Sequence, residues 1–189
     1  TSQQFAALET ADIGSLGNAQ LEALSTTQLA AMSAHQLAAL STSQISHIDP
    51  ADIGAISNAA LQGLSNDQMA ALTNDQVAAL STLQIGALST SMIDALSDAQ
   101  FGALTTEQFR VFSQTQFSSL STHDFTLLST EHIAAITTRQ MSVIDADHLA
   151  ALSTAQIGAI PVADITVIPT AAISGFTPDQ LSSMSMDQA

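Results

Sequence analysis

Apolar residues recur along this chain with a period of eight. Counted from Thr1, the frame runs through 23 full blocks, 23 × 8 = 184 residues, with no insertion or deletion. Position eight is apolar every time, from Leu8 through Leu24, Leu40, Leu72, Leu80 and Leu152 to Met184. Position five is apolar throughout as well, from Phe5 and Leu29 to Leu181. Position one is mostly Ser or Thr, position four mostly Gln and position seven usually Ala, so the consensus reads Ser-Thr-x-Gln-(Ile/Leu)-x-Ala-Leu. Self-similarity at a short fixed period is the mark of a solenoid, and residues 1–189 read as a single octad array.

Ser or Thr followed three residues later by Gln is a capping box: the hydroxyl accepts from the third backbone N–H and the Gln side chain reaches back to the cap. Such boxes are expected at Ser25 with Gln28, Ser41 with Gln44, Ser81 with Gln84 and Ser153 with Gln156, and they predict a helix start in almost every octad. Pro50 and Pro178 fall on the first helical position, where a missing N–H costs nothing. Pro161 and Pro169 take the cap position itself, outside the helix, and forgo the side-chain cap. One long helix fails on geometry, because eight residues at about 100° each leave the apolar stripe drifting by roughly 80° per octad. The fold expected is therefore all-α: a solenoid of very short helices, each about a turn and a half, stabilised by stacking on neighbours. A β-solenoid is the competitor, disfavoured because positions five and eight would face opposite ways on a strand and because Ala and Gln are poor strand formers. All octads look equivalent, so the number that completes a turn stays open.

Written out, the consensus resembles the Leu-Ser-Thr-x-Gln-(Ile/Leu)-Ala-Ala-Leu octapeptide arrays of very large secreted proteobacterial surface proteins, described as adhesins or haemagglutinins. The segments 24–32 (LSTTQLAAM) and 152–160 (LSTAQIGAI) carry the likeness, which spans the whole chain, while Glu9 and Gly17 at cap positions depart from it. The resemblance implies an extracellular or cell-surface structural or adhesive role and brings no catalytic residues with it.

Composition narrows the partners. Seventeen acidic residues against Arg110 and Arg139 give a formal charge of −15, which leaves nothing to neutralise a run of phosphates. Nucleic acid is excluded, anionic lipid is disfavoured, and no apolar run is long enough to insert in a membrane. The absence of Cys removes disulfides, thiol catalysis and Cys-based metal sites. Two arginines also mean only two tryptic sites, a useful property outside a cell. The chain opens on Thr1 and stops inside a twenty-fourth octad, which reads as a segment of an array that continued.

Candidate chemistry is thin. Ser121-Thr122-His123-Asp124 brings Ser, His and Asp together with no sign of an oriented base. His35, His47, His123, His132 and His148 occupy positions three, seven, three, four and four. If two octads closed a turn, His132 and His148 would stack and form a weak metal site with Asp124; otherwise His stands in for Gln as a hydrogen-bonding group. Asp49 with Asp52 and Asp145 with Asp147 are calcium candidates without the spacing of a dedicated loop, so no cofactor is expected. Thr at position two, as in Thr26, Thr42, Thr82, Thr90, Thr122, Thr130 and Thr154, suggests an exposed hydroxyl row suited to O-linked glycans or, as a minor reading, to ice. Phe101, Phe109, Phe117 and Phe125 fill position five in four successive octads, with Phe112 at position eight, which reads as an aromatic core ladder or a partner-binding swelling. The function expected is a non-catalytic structural module of an adhesin or self-assembling filament, with self-association as its contact. The alternative is a protein-binding scaffold that uses the variable positions three and six. An enzyme is disfavoured, because catalysis needs a unique site.

Overall fold

The computed structural model describes residues 1–188, and among them there is no strand. They form twenty-two α-helices of four to six residues and one 3-10 helix, Ile173–Gly175. By its internal contacts the chain divides into two units, Thr1–Ala103 and Leu104–Ala189, and each is a solenoid of these short helices. No helix of the described residues is long and apolar enough to cross a membrane.

A helix begins at position two in almost every octad because position one holds an extended conformation, as at Ser41 (φ −70°, ψ 163°) and Ser81 (φ −68°, ψ 157°). It ends because position eight is extended too: Leu80, Leu88 and Leu152 have ψ of 134°, 140° and 140°. Two consecutive extended residues turn the chain, so no described residue needs a positive φ. Pro50 and Pro178 each open a helix. Pro161 precedes the uncapped helix Val162–Ile165, whereas the octad opened by Pro169 keeps only the 3-10 helix.

Helices pack on helices three octads away: Pro50–Ile53 on Asn74–Ala79 in the first unit, and Thr106–Arg110 on Thr130–Ala135 in the second. Side-chain bonds between successive turns span from 25 residues, Asn58 to Leu83, up to 31, Gln36 to Phe5. These spans centre on 28 residues, so a turn holds about three and a half octads, and each helix lies over the bend between two helices of the turn before it. The two-octad turn that would stack His132 on His148 is therefore not the geometry. Within each unit successive octads lie at different points of a turn, so position-two threonines of neighbouring octads are not stacked one above the next.

Positions five and eight fill the interior. Leu24, Leu29, Leu40, Leu72, Leu80, Phe101 and Leu152 are buried, and Phe109, Phe117 and Phe125 are fully so. Phe109 meets Phe117 with ring centroids 6.0 Å apart, and Phe117 meets Phe125 at 5.4 Å, both edge-on, the favoured aromatic geometry. The expectation of an inward position five fails at Ile173 and Leu181, which are 45% and 51% exposed. Position five is covered by the following turn, and among the described residues no turn follows these two. Where turns approach most closely, position seven is Gly: a Cβ on Gly175 would stand 2.1 Å from Ala146 O, and one on Gly63 2.5 Å from Ala34 O.

Candidate functional site

A helix of five residues leaves its first N–H groups and its last carbonyls without partners, so an array of such helices must satisfy an unusual number of backbone groups. The position-four side chain handles both ends at once. At Ser41, Ser81 and Ser153 the hydroxyl accepts from the N–H of Gln44, Gln84 and Gln156, at 3.2 Å in each case. The cap N–H donates back to the glutamine Oε1 at 2.7 Å. Ser25 forms only the reciprocal half: its N–H and its hydroxyl both donate to Gln28 Oε1, at 2.9 and 2.8 Å.

The glutamine amide nitrogen points the other way, into the preceding turn. Gln84 Nε2 donates to Ile53 O at 3.0 Å and Ile56 O at 2.8 Å. Gln44 does the same to Gly14 O and Leu16 O, and Gln156 to Phe125 O and Leu128 O. The acceptors are carbonyls at positions five, six and eight of an octad four places back: the position-eight carbonyl is an orphan of the helix C-terminus, while Ile53 O also takes the Ile56 N–H at 3.2 Å. One buried amide thus closes the N-terminus of its own helix and the C-terminus of a helix one turn below. Sequence reasoning assigned Gln only the first role. A signal for the second was present: Glu has the length of Gln and completes a capping box as well, yet none of the four Glu residues stands at position four, where the carboxylates are the shorter Asp12, Asp52, Asp124 and Asp164. Only the amide has protons to give.

His132 reproduces this function with different atoms. Its Nε2 lies 2.8 Å from Leu104 O, so that nitrogen carries the proton, and its Nδ1 accepts from Ser129 N–H at 3.3 Å. His148 Nε2 likewise meets Leu120 O at 2.8 Å, and its ring stacks on Phe125 at 4.4 Å. Its cap is Asp145, whose Oδ1 accepts from His148 N–H at 2.9 Å and lies 3.1 Å from Nδ1, in reach of an ion pair but not aligned as a hydrogen bond. The two histidines serve separate carbonyls and share no ligand position.

The other polar candidates are drawn into the same bonding. Asp124 Oδ2 accepts from Ser121 N–H and Oγ–H, as a capping-box partner does. Asp49 Oδ1 accepts from Ala51 N–H, and Thr26 Oγ1–H donates to Asp52 Oδ1 across a turn. His47 bridges turns, with Nδ1 3.0 Å from Glu22 Oε1 and Nε2 2.8 Å from Asn18 Nδ2. Among the described residues no three His, Asp or Glu side chains converge as a metal-holding group. Glu131, fully exposed, has its carboxyl held below the ordinary 4.5, chiefly by the Ser129 hydroxyl and then by its own backbone N–H.

A family model described as the ALTTAQ repeat matches residues 5–42, 45–82 and 82–114, more than half of the chain. The six letters correspond to octad positions seven, eight, one, two, three and four, as in Ala103-Leu104-Thr105-Thr106-Glu107-Gln108. No curated protein matches the chain.

Proposed function

We propose, from the premise that this chain belongs to the ALTTAQ repeat family, that it is a structural repeat module of an extracellular bacterial surface adhesin or filament, without catalytic activity of its own. The observation that carries the reading is the use of each repeating position. Positions five and eight make the core, position one caps a helix, and position four ties that helix to the turn below, so the sequence is given over to building a regular body. The resemblance to secreted octapeptide arrays supplies the location, and a chain with two tryptic sites suits it. Contact between copies is the association this reading favours, and the threonines at position two are its acceptors for O-linked sugars.

The test is antibody labelling of the source cells before and after permeabilisation. A surface module gives label on intact cells that brief external protease removes. Label seen only after permeabilisation would end the reading.

A further inference from the structure

The fixed positive charge of this chain is gathered at one place. Arg110 and Arg139 are its only Lys or Arg residues, against 17 Asp and Glu. They stand 29 residues apart, about one solenoid turn, and both line a single open cleft of about 460 Å³ with Val111, Phe112, Ser113 and Thr137. Arg110 closes the helix Thr106–Arg110 and Arg139 lies in Thr138–Met141. The turns carrying them are pinned together. Gln140 Nε2 donates to Phe109 O at 2.9 Å and Arg110 O at 3.4 Å, and Gln114 Nε2 donates to Arg139 O at 3.1 Å.

In a chain this acidic, two cations have ample opportunity to sit beside carboxylates. Arg110 makes one long contact, 3.8 Å from Glu107, between two exposed side chains. Among the described residues Arg139 pairs with no acid. Two like charges on one groove repel each other, and an anion bridging them reverses the sign of that interaction. Guanidinium groups suit the task, because each presents a planar fork that matches a carboxylate. Val111, 39% exposed, offers an apolar wall, and Ser113 and Thr137, whose hydroxyls cap their own helices, complete the lining. The volume falls within the roughly 300–1,000 Å³ of small-molecule sites. The surrounding field of a chain at −15 penalises a dianion more than a monoanion, which favours carboxylate over phosphate.

We propose that the cleft between Arg110 and Arg139 binds the carboxylate of a sugar acid, free or as a unit of an acidic polysaccharide, with the ring against Val111. The site is independent of where the chain is displayed.

The chain has only two arginines, so its spectrum contains just two arginine Nε–H resonances. Titrating the full chain at low salt with sodium glucuronate is expected to shift both saturably, while glucose shifts neither. R110Q and R139Q should each weaken binding at least about tenfold, the scale of one charge-assisted bond, and E107Q should leave it equal or tighter. R139K, which keeps the charge and loses the fork, should also weaken it. Both arginines are exposed, so far-ultraviolet circular dichroism should show the variants folded as the parent is. A galacturonate oligomer that binds more tightly than the monomer identifies polysaccharide as the source; equal affinity identifies the free acid. Shifts that never saturate, binding that survives both Gln variants, or an equal response to inorganic phosphate would each overturn the proposal. So would shifts of both signals on concentrating the protein alone, lost in R139Q, since an acid of a second copy would then be the occupant.

Discussion

Replacing Gln76 by glutamate separates the two tasks of the position-four side chain. Gln76 is fully buried; its Oε1 accepts from Thr73 N–H at 2.8 Å, and its Nε2 donates to Ile45 O at 2.9 Å and Ile48 O at 2.7 Å. Glutamate has the same length and still offers an oxygen to Thr73, so the capping box survives. The second oxygen, however, replaces the donor and faces two carbonyls. Ile45 O keeps the Ile48 N–H at 3.2 Å, but Ile48 O loses its donor, and a buried carbonyl so deprived costs about 1–3 kcal/mol. At roughly 2–4 °C per kcal/mol for a chain of 150–250 residues, a loss of about 2 kcal/mol lowers the midpoint by roughly 4–8 °C.

The deficit must also depend on pH, with a definite sign. A buried carboxylate facing carbonyl oxygens is disfavoured, so the folded pKa of the introduced carboxyl rises above the unfolded value near 4.3. Below both values the group is a carboxylic acid whose O–H restores one bond, and the deficit is smallest. It grows as pH rises through the unfolded value and levels off above the folded one. Urea unfolding of Q76E and the parent, followed by far-ultraviolet circular dichroism at neutral and at acid pH, measures both quantities. A variant within about 1 kcal/mol of the parent at neutral pH, or a deficit that does not change with pH, would refute the clamp as a source of stability.

Three further outcomes follow from the packing and the caps. Gly175→Ala should destabilise by about 1–3 kcal/mol, because the added carbon meets the Ala146 backbone, whereas Gly158→Ala, with open space around it, should be neutral or stabilising by up to about 1 kcal/mol; urea midpoints decide. Phe117→Ala empties a fully buried place between Phe109 and Phe125 and should cost about 3–5 kcal/mol in the same assay. Carboxyl NMR should find Glu131 titrating below 4.5 and returning toward it in Ser129→Ala; with a depressed folded value, its contribution to stability is present above the unfolded pKa and is lost as pH falls through the folded one.

The sequence exposed whatever repeats within one octad and concealed what acts between octads. Apolar residues at positions five and eight fixed the face each helix buries, and Ser81 with Gln84 fixed where one begins. The number of octads per turn was hidden because three and a half does not fit an eight-residue frame. No octad is special, so no longer alternation is written into the chain. The cross-turn use of the glutamine amide was hidden because the capping box already accounts for Gln at position four, and only the absence of Glu there distinguishes the two uses. Ile173 misled for another reason: its pattern is regular, but Pro169 removes the cap and no described turn lies over it.

The clamp also explains where this chain is free to differ from repeat to repeat. Helices of four to six residues are far too short to hold in water unaided, and their order rests on caps and on the neighbouring turn. Where position four is Gln, one side chain satisfies groups on two turns, and His132 and His148 keep the link by placing a ring Nε2 2.8 Å from the same kind of carbonyl, whereas Asp12, Asp52, Ala60, Met92, Asp124, Asp164 and Ala172 stand there without an amide to give. Positions one, five and eight are held by capping and burial, and position seven by close approach of the backbone, most tightly at Gly63 and Gly175. Variation is left chiefly to positions three and six, which face outward. Arg110 occupies position six and Arg139 position three, and a turn of three and a half octads brings those two positions together across one groove. A regular body of this kind acquires individuality by changing pairs of residues about one turn apart, and the single basic pair in an otherwise acidic chain is the place where this one has done so.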